Sequence, residues 1–123
     1  MLTADTPISL RSRVADAVAR GYARLGCTVV EGPLAEVSGV EEAPGAAVLA
    51  ADLGTVECVA DGHLPAASRA VRHLAAAGWE VSLLVPLALV GEAHRLLRGA
   101  PVRLQPWWLG PDDDVCFGAP EVP

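Results

Sequence analysis

The sequence contains no lysine; all nine basic side chains are arginine. That absence removes a phosphate-loop lysine, a Schiff-base lysine and a lysine general base from the available chemistry. Aromatic side chains are also scarce, with three Trp, one Tyr and one Phe, so alanine must fill much of any core. Cys27, Cys58 and Cys116 are odd in number and show no CxxC spacing. They supply neither a disulfide framework nor a zinc ribbon. No run reaches the roughly 18 apolar residues that a membrane span requires. Met1–Leu10 carries neither a basic segment nor a continuous apolar one, so no secretory leader is expected and a reducing cytoplasm is the expected setting. GxSxG, GxGxxG and HExxH are all missing, and no serine has a nucleophile's context.

What is present is an apolar, acidic chain of 123 residues, 52% hydrophobic, with a formal charge of −6. That size fits one domain around one core. A negative field repels phosphate backbones, so nucleic acid is not the expected partner. The exception would be a local patch formed by Arg11, Arg13, Arg20 and Arg24, whose spacing more simply describes a solvated helix face.

Leu10, Val14, Val18, Tyr22 and Leu25 fall at helical spacing behind a Ser9 N-cap, and Gly26 ends the run. Cys27–Glu31 then reads as a short strand, and the stretch from Glu36 to Gly45 as loop. Ala46–Ala51 and Thr55–Ala60 are apolar runs separated by Asp52-Leu53-Gly54, the pattern of an antiparallel hairpin. From Leu64 to Leu109 helix-like and strand-like segments alternate: Pro65–Ala77, Trp79–Val85, Leu87–Leu97, Val102–Trp108. Short apolar runs joined by crossover helices indicate parallel βαβ pairing. The fold class is therefore α/β: a small single domain of order α-β-β-β-α-β-α-β, residues 1–109, with a central mixed sheet flanked by helices. Residues 110–123, with Asp112-Asp113-Asp114 and three prolines, read as a flexible acidic tail.

From Arg11 to about Leu97 this order resembles the core of the PD-(D/E)xK phosphodiesterases, the restriction-endonuclease-like fold. Pro44-Gly45-Ala46-Ala47-Val48-Leu49 occupies the place of that family's Pro-Asp and following strand. Val56-Glu57-Cys58-Val59-Ala60-Asp61 occupies the place of its apolar-Glu-x-Lys strand. The resemblance implies a divalent metal such as Mg²⁺ held by an Asp and a Glu, with a Lys orienting the attacking water. Here Gly45 stands at the Asp position and Val59 at the Lys position, so only Glu57 matches. If the register slips, Ala60 replaces the Glu and Asp61 the Lys. The scaffold is thus expected without its chemistry. The stretch ending in Asp52, followed by helix, strand, helix and strand, is also similar to half of a two-component receiver domain. That family's paired first-strand acids and final lysine are missing.

Two functional expectations follow. The leading one is a non-catalytic binding or assembly domain, self-associating as a homodimer or joined to a protein partner. Trp107 and Trp108 would form its contact surface: consecutive strand residues face opposite ways, leaving one ring exposed on a last strand open to pairing. The alternative is a small metal-dependent hydrolase or nuclease in which Asp52, Glu57 and Asp61 bind Mg²⁺, with Glu57, Asp61 and His63 as its catalytic groups. Acidic residues beside glycine are more often turn formers, however. His73 and His94 read as solvated, Cys58 as a buried strand thiol, and Trp79 as core.

Overall fold

The computed structural model describes residues 9–123. Helix α1, Leu10–Arg24, starts where the Ser9 side chain accepts a hydrogen bond from the Ser12 amide. That cap satisfies one of the free amides of the first turn. The chain then forms β1 (Val29–Pro33), the single-turn α2 (Leu34–Ser38), β2 (Ala46–Ala50), β3 (Thr55–Val59), α3 (Leu64–Ala76), β4 (Glu80–Pro86), α4 (Val90–Leu96), β5 (Arg103–Leu109) and β6 (Val115–Phe117). Short 3-10 turns at Ala51–Leu53 and Leu87–Leu89 complete the order.

All six strands make one mixed sheet in the order β1-β2-β3-β4-β5-β6. β1, β2 and β3 are an antiparallel meander, and β3, β4 and β5 run parallel. The parallel steps need long connections, which α3 and α4 supply. The protein is therefore a small α/β domain with helices on both faces of a mixed sheet.

Strand alternation divides the interior into two cores. Val56, Cys58, Val81, Leu83, Val85 and Leu104 face the layer of α2, α3 and α4. Val48, Val59, Leu84 and Trp107 face α1. Val81–Val85 is buried at every position, as its unbroken apolar run predicts for a strand covered on both sides.

Three elements differ from the sequence reading. The stretch expected as loop begins with α2, whose end is set by Gly39 in a left-handed conformation. Cys27 lies ahead of β1, outside the strand expected to contain it. The segment expected as a tail carries β6, which pairs antiparallel with β5, while Glu121 bridges Leu104. Three residues give too little pattern to announce a strand, and the partner that stabilises it is distant in sequence. β5 is consequently an inner strand, and the edges of the sheet are β1 and β6. Among the described residues no helix is long and apolar enough to cross a membrane.

Candidate functional site

The α1-facing side of the sheet holds an in-register polar row. Glu57 of β3 pairs with Ser82 of β4, and Ser82 pairs with Arg103 of β5. All three share one parity, so their side chains leave the sheet on the same face. Tyr22 approaches from α1 and donates a 2.9 Å hydrogen bond to Glu57 Oε1. Glu57 Oε2 is closed off from solvent and makes no hydrogen bond of regular geometry. Burying a carboxylate oxygen away from water is costly unless a donor lies close, and the Ser82 hydroxyl is the neighbouring one.

Burial pushes the Glu57 carboxyl up from its ordinary value. Hydrogen bonding from Tyr22, the nearby Ser82 hydroxyl and the Arg103 charge offset part of that shift. The Tyr22 phenol is also pushed up, first by burial and then by the charge and hydrogen bond of Glu57. It is a neutral donor over the whole physiological range.

An open recess of about 410 Å³ lies beside this pair, lined by Ala17, Val18, Tyr22, Leu25, Glu57 and Phe117. Its wall is apolar apart from the carboxyl and the phenol. Phe117 comes from β6, so the segment expected to be a tail helps to build the recess.

The other carboxylates of the hydrolase reading are elsewhere. Asp52 accepts from the Thr28 amide at 3.0 Å, tying the β2–β3 turn to the entry of β1. Asp61 is 3.7 Å from the Arg11 guanidinium. Asp52 precedes β3 and Asp61 follows it, so a five-residue strand separates them, about 17 Å of chain. One metal ion does not span that distance. Among the described residues no group of three or more His, Cys, Asp or Glu is placed to hold a metal ion. His63 is exposed, in a left-handed conformation with φ 52° ahead of α3. The ion pair of Asp61 is with Arg11, and nothing places Asp61 and His63 as an acid–base unit.

Gly45, at the position where the resemblance would put the first acidic ligand, has φ 145°. A Cβ there would lie 2.6 Å from the Val59 carbonyl oxygen. No side chain, aspartate included, fits that site without a backbone shift. Cys58 is fully buried, and desolvation pushes its thiol up, away from the thiolate a nucleophile needs.

The two adjacent tryptophans do face opposite ways. Trp107 is 3% exposed in the α1-side core, while Trp108 is 38% exposed on the other face. Leu109, on the Trp107 side by strand alternation, is 37% exposed. Leu87 is 55% exposed in the turn after β4, and that turn packs against β5. Gly118 permits β6 to close here: a Cβ on it would meet Pro106 Cγ at 2.7 Å and the Trp108 ring at 3.3 Å.

Arginines of α1 form no uninterrupted basic patch. Arg13 donates to the Asp113 carbonyl, Arg11 pairs with Asp61, and Asp16 lies between Arg13 and Arg20 in one recess. Sequence spacing did not reveal Tyr22, Ser82 or Arg103 as partners of Glu57, because they come from three other elements. It also missed the 2.6 Å contact between His94 and Glu121, which ties α4 to the C-terminal segment. No family model, curated protein or solved structure matches the chain.

Proposed function

We propose that this chain is a non-catalytic binding or assembly domain that associates with a second copy of itself through the surface of Leu87 and Trp108. The observation carrying this reading is the exposed Trp108, on a strand whose Leu104, Pro106 and Trp107 are buried. Tryptophan on a rim supplies large contact area at low entropic cost and is enriched at the centres of interfaces. The contact is between side-chain surfaces rather than a strand addition at β5, because β6 already occupies that edge.

Supporting the non-catalytic half, the carboxylates are dispersed, the Gly45 position has no room for a side chain, and Cys58 is sealed in the core. The helix, three-strand meander, crossover helix and parallel strand support reading the scaffold as restriction-endonuclease-like. Three free cysteines support a reducing cytoplasm as its setting. Among the described residues Asp52, Glu57 and Asp61 of the metal-dependent hydrolase reading do not converge.

Light scattering over a range of concentrations tests the association. The expected mass is twice that of the 12.7 kDa chain at high concentration, with Trp108→Ala monomeric. Two chains of charge −6 repel, so added salt strengthens the dimer. A strict monomer whose Trp108→Ala variant behaves identically overturns the proposal.

A further inference from the structure

Among the described residues β1 pairs on one side only, with β2. The Leu34 amide donates to the Gly45 carbonyl, and these two residues continue the register in which Pro33 faces Ala46. Bonded pairs alternate along an antiparallel ladder, so Gly32 and Val30 also turn their backbone groups toward β2. Val29, Glu31 and Pro33 turn theirs outward. Pro33 has no N–H to offer, as suits an edge, whereas Val29 and Glu31 each present a donor and an acceptor. We propose that this open edge takes up an extended segment of a protein partner as a further strand, one in which basic side chains alternate with apolar ones.

The two faces of β1 differ. Glu31 pairs with Val48, which lies on the α1 side, so Glu31 points to that side as well. There it meets Asp16 of α1. Burial, then the charge and hydrogen bonding of Asp16, push the Glu31 carboxyl up from its ordinary value. Open recesses of about 290 and 340 Å³, one toward Val29 and the other toward Pro33, are both lined by Asp16 and Glu31. They form a groove between α1 and the strand edge with the two carboxyls at its middle. Arg20 lines the first recess and Arg11 the second, yet neither makes an ion pair with Asp16 or Glu31 within 4 Å, and Arg11 is held by Asp61. Adjacent carboxyls without a cation of their own complement an arginine or lysine side chain. On the other face Val30 is 59% exposed, an apolar side chain that the fold leaves uncovered. A strand laid along β1 sets a basic side chain across from Glu31 and an apolar one beside Val30.

A second copy of the chain is a poor occupant of this edge. Pairing two β1 strands about Glu31 gathers two Glu31 and two Asp16 carboxyls, and like charges directly opposite destabilise a ladder. An acidic partner meets the same repulsion, to which the net charge of −6 adds. In strand addition the main-chain bonds supply affinity and the alternating side chains supply selectivity.

The test is an NMR titration of the isotopically labelled protein with two capped peptides, Thr-Val-Arg-Val-Arg-Val-Thr and its counterpart with both arginines replaced by glutamate. The arginine peptide is expected to saturate, to shift the amides of Val29, Val30 and Glu31, and to bind about tenfold more tightly than the glutamate one. Strand addition also slows hydrogen exchange at the Val29 and Glu31 amides, which a contact through side chains alone leaves unchanged. Glu31→Gln removes most of the preference for arginine. Val30→Thr weakens both peptides and keeps the preference. Trp108→Ala leaves both affinities as they are, so the β1 edge and the Trp108 surface stand or fall separately. The proposal is overturned if the arginine peptide does not saturate, if the glutamate peptide binds as well, if Glu31→Gln retains the preference, or if the Val29 and Glu31 amides gain no protection.

Discussion

The Tyr22 hydroxyl holds Glu57 Oε1 at 2.9 Å, joining the last turns of α1 to the middle of β3 across 35 residues of chain. This bond is a polar fastening between a helix and a sheet that otherwise share an apolar core. Tyr22→Phe removes the donor to Glu57 Oε1 and is expected to cost about 1–3 kcal/mol. Chemical denaturation measures that loss. In a Glu57→Gln background the same change costs less, because no charge is left stranded.

Glu57 also gives the fold a pH dependence with a definite sign. Burial raises its carboxyl above the ordinary value of 4.5, so the native state keeps a proton that the unfolded chain has released. Stability from this group is therefore full below the ordinary carboxylate range and declines as pH rises through the raised value. Glu57→Gln removes the decline. Its melting temperature at neutral pH should exceed that of the native chain by roughly 4 °C, corresponding to about 1 kcal/mol. Melting curves of the two proteins from pH 4 to pH 8 should converge at the acidic end.

Gly45 and Gly118 are the glycines whose replacement meets a rigid neighbour. At Gly45 both the φ of 145° and the Val59 carbonyl oppose a Cβ. Gly45→Ala is expected to destabilise by about 3 kcal/mol. Gly118→Ala, held against the fixed ring of Pro106, should cost about 1–3 kcal/mol and loosen β6 from β5. Hydrogen exchange at the Gly118 amide, which donates to the Pro106 carbonyl, reports that loosening directly. Gly21→Ala is the control, since nothing lies within 4 Å of its Cβ and its φ is not in the left-handed range.

Millimolar Mg²⁺ or Mn²⁺ should leave the melting temperature unchanged, because Asp52, Glu57 and Asp61 are apart and each of the three has its own partner. A clear stabilisation that disappears in Glu57→Ala would contradict this and restore the hydrolase reading.

Much of this architecture was legible because its signals are local. The Leu10-to-Leu25 stripe, the Gly-terminated hairpin around Asp52-Leu53-Gly54 and the unbroken Val81–Val85 run each state their element within a few residues. β6 and α2 were not legible. Three residues in the one case and five in the other carry no period, and both depend on partners remote in sequence. The candidate site was half legible. Glu57 stood out as an acidic residue in an apolar run, and the Trp107–Trp108 alternation follows from strand geometry alone. Its true surroundings did not stand out: Tyr22 read as one member of an apolar stripe, Ser82 as part of a core strand, and Phe117 as tail. Side chains that meet across elements leave no mark in spacing along any one of them.

The most direct test of the rim contact is a dilution series of amide NMR spectra. Self-association through Leu87 and Trp108 predicts that the amides of 87–89 and 107–109 shift progressively with concentration, that these shifts vanish in Trp108→Ala, and that the β1 edge at Val29–Pro33 stays unchanged. Spectra that do not vary with concentration, or changes confined to β1, would contradict it.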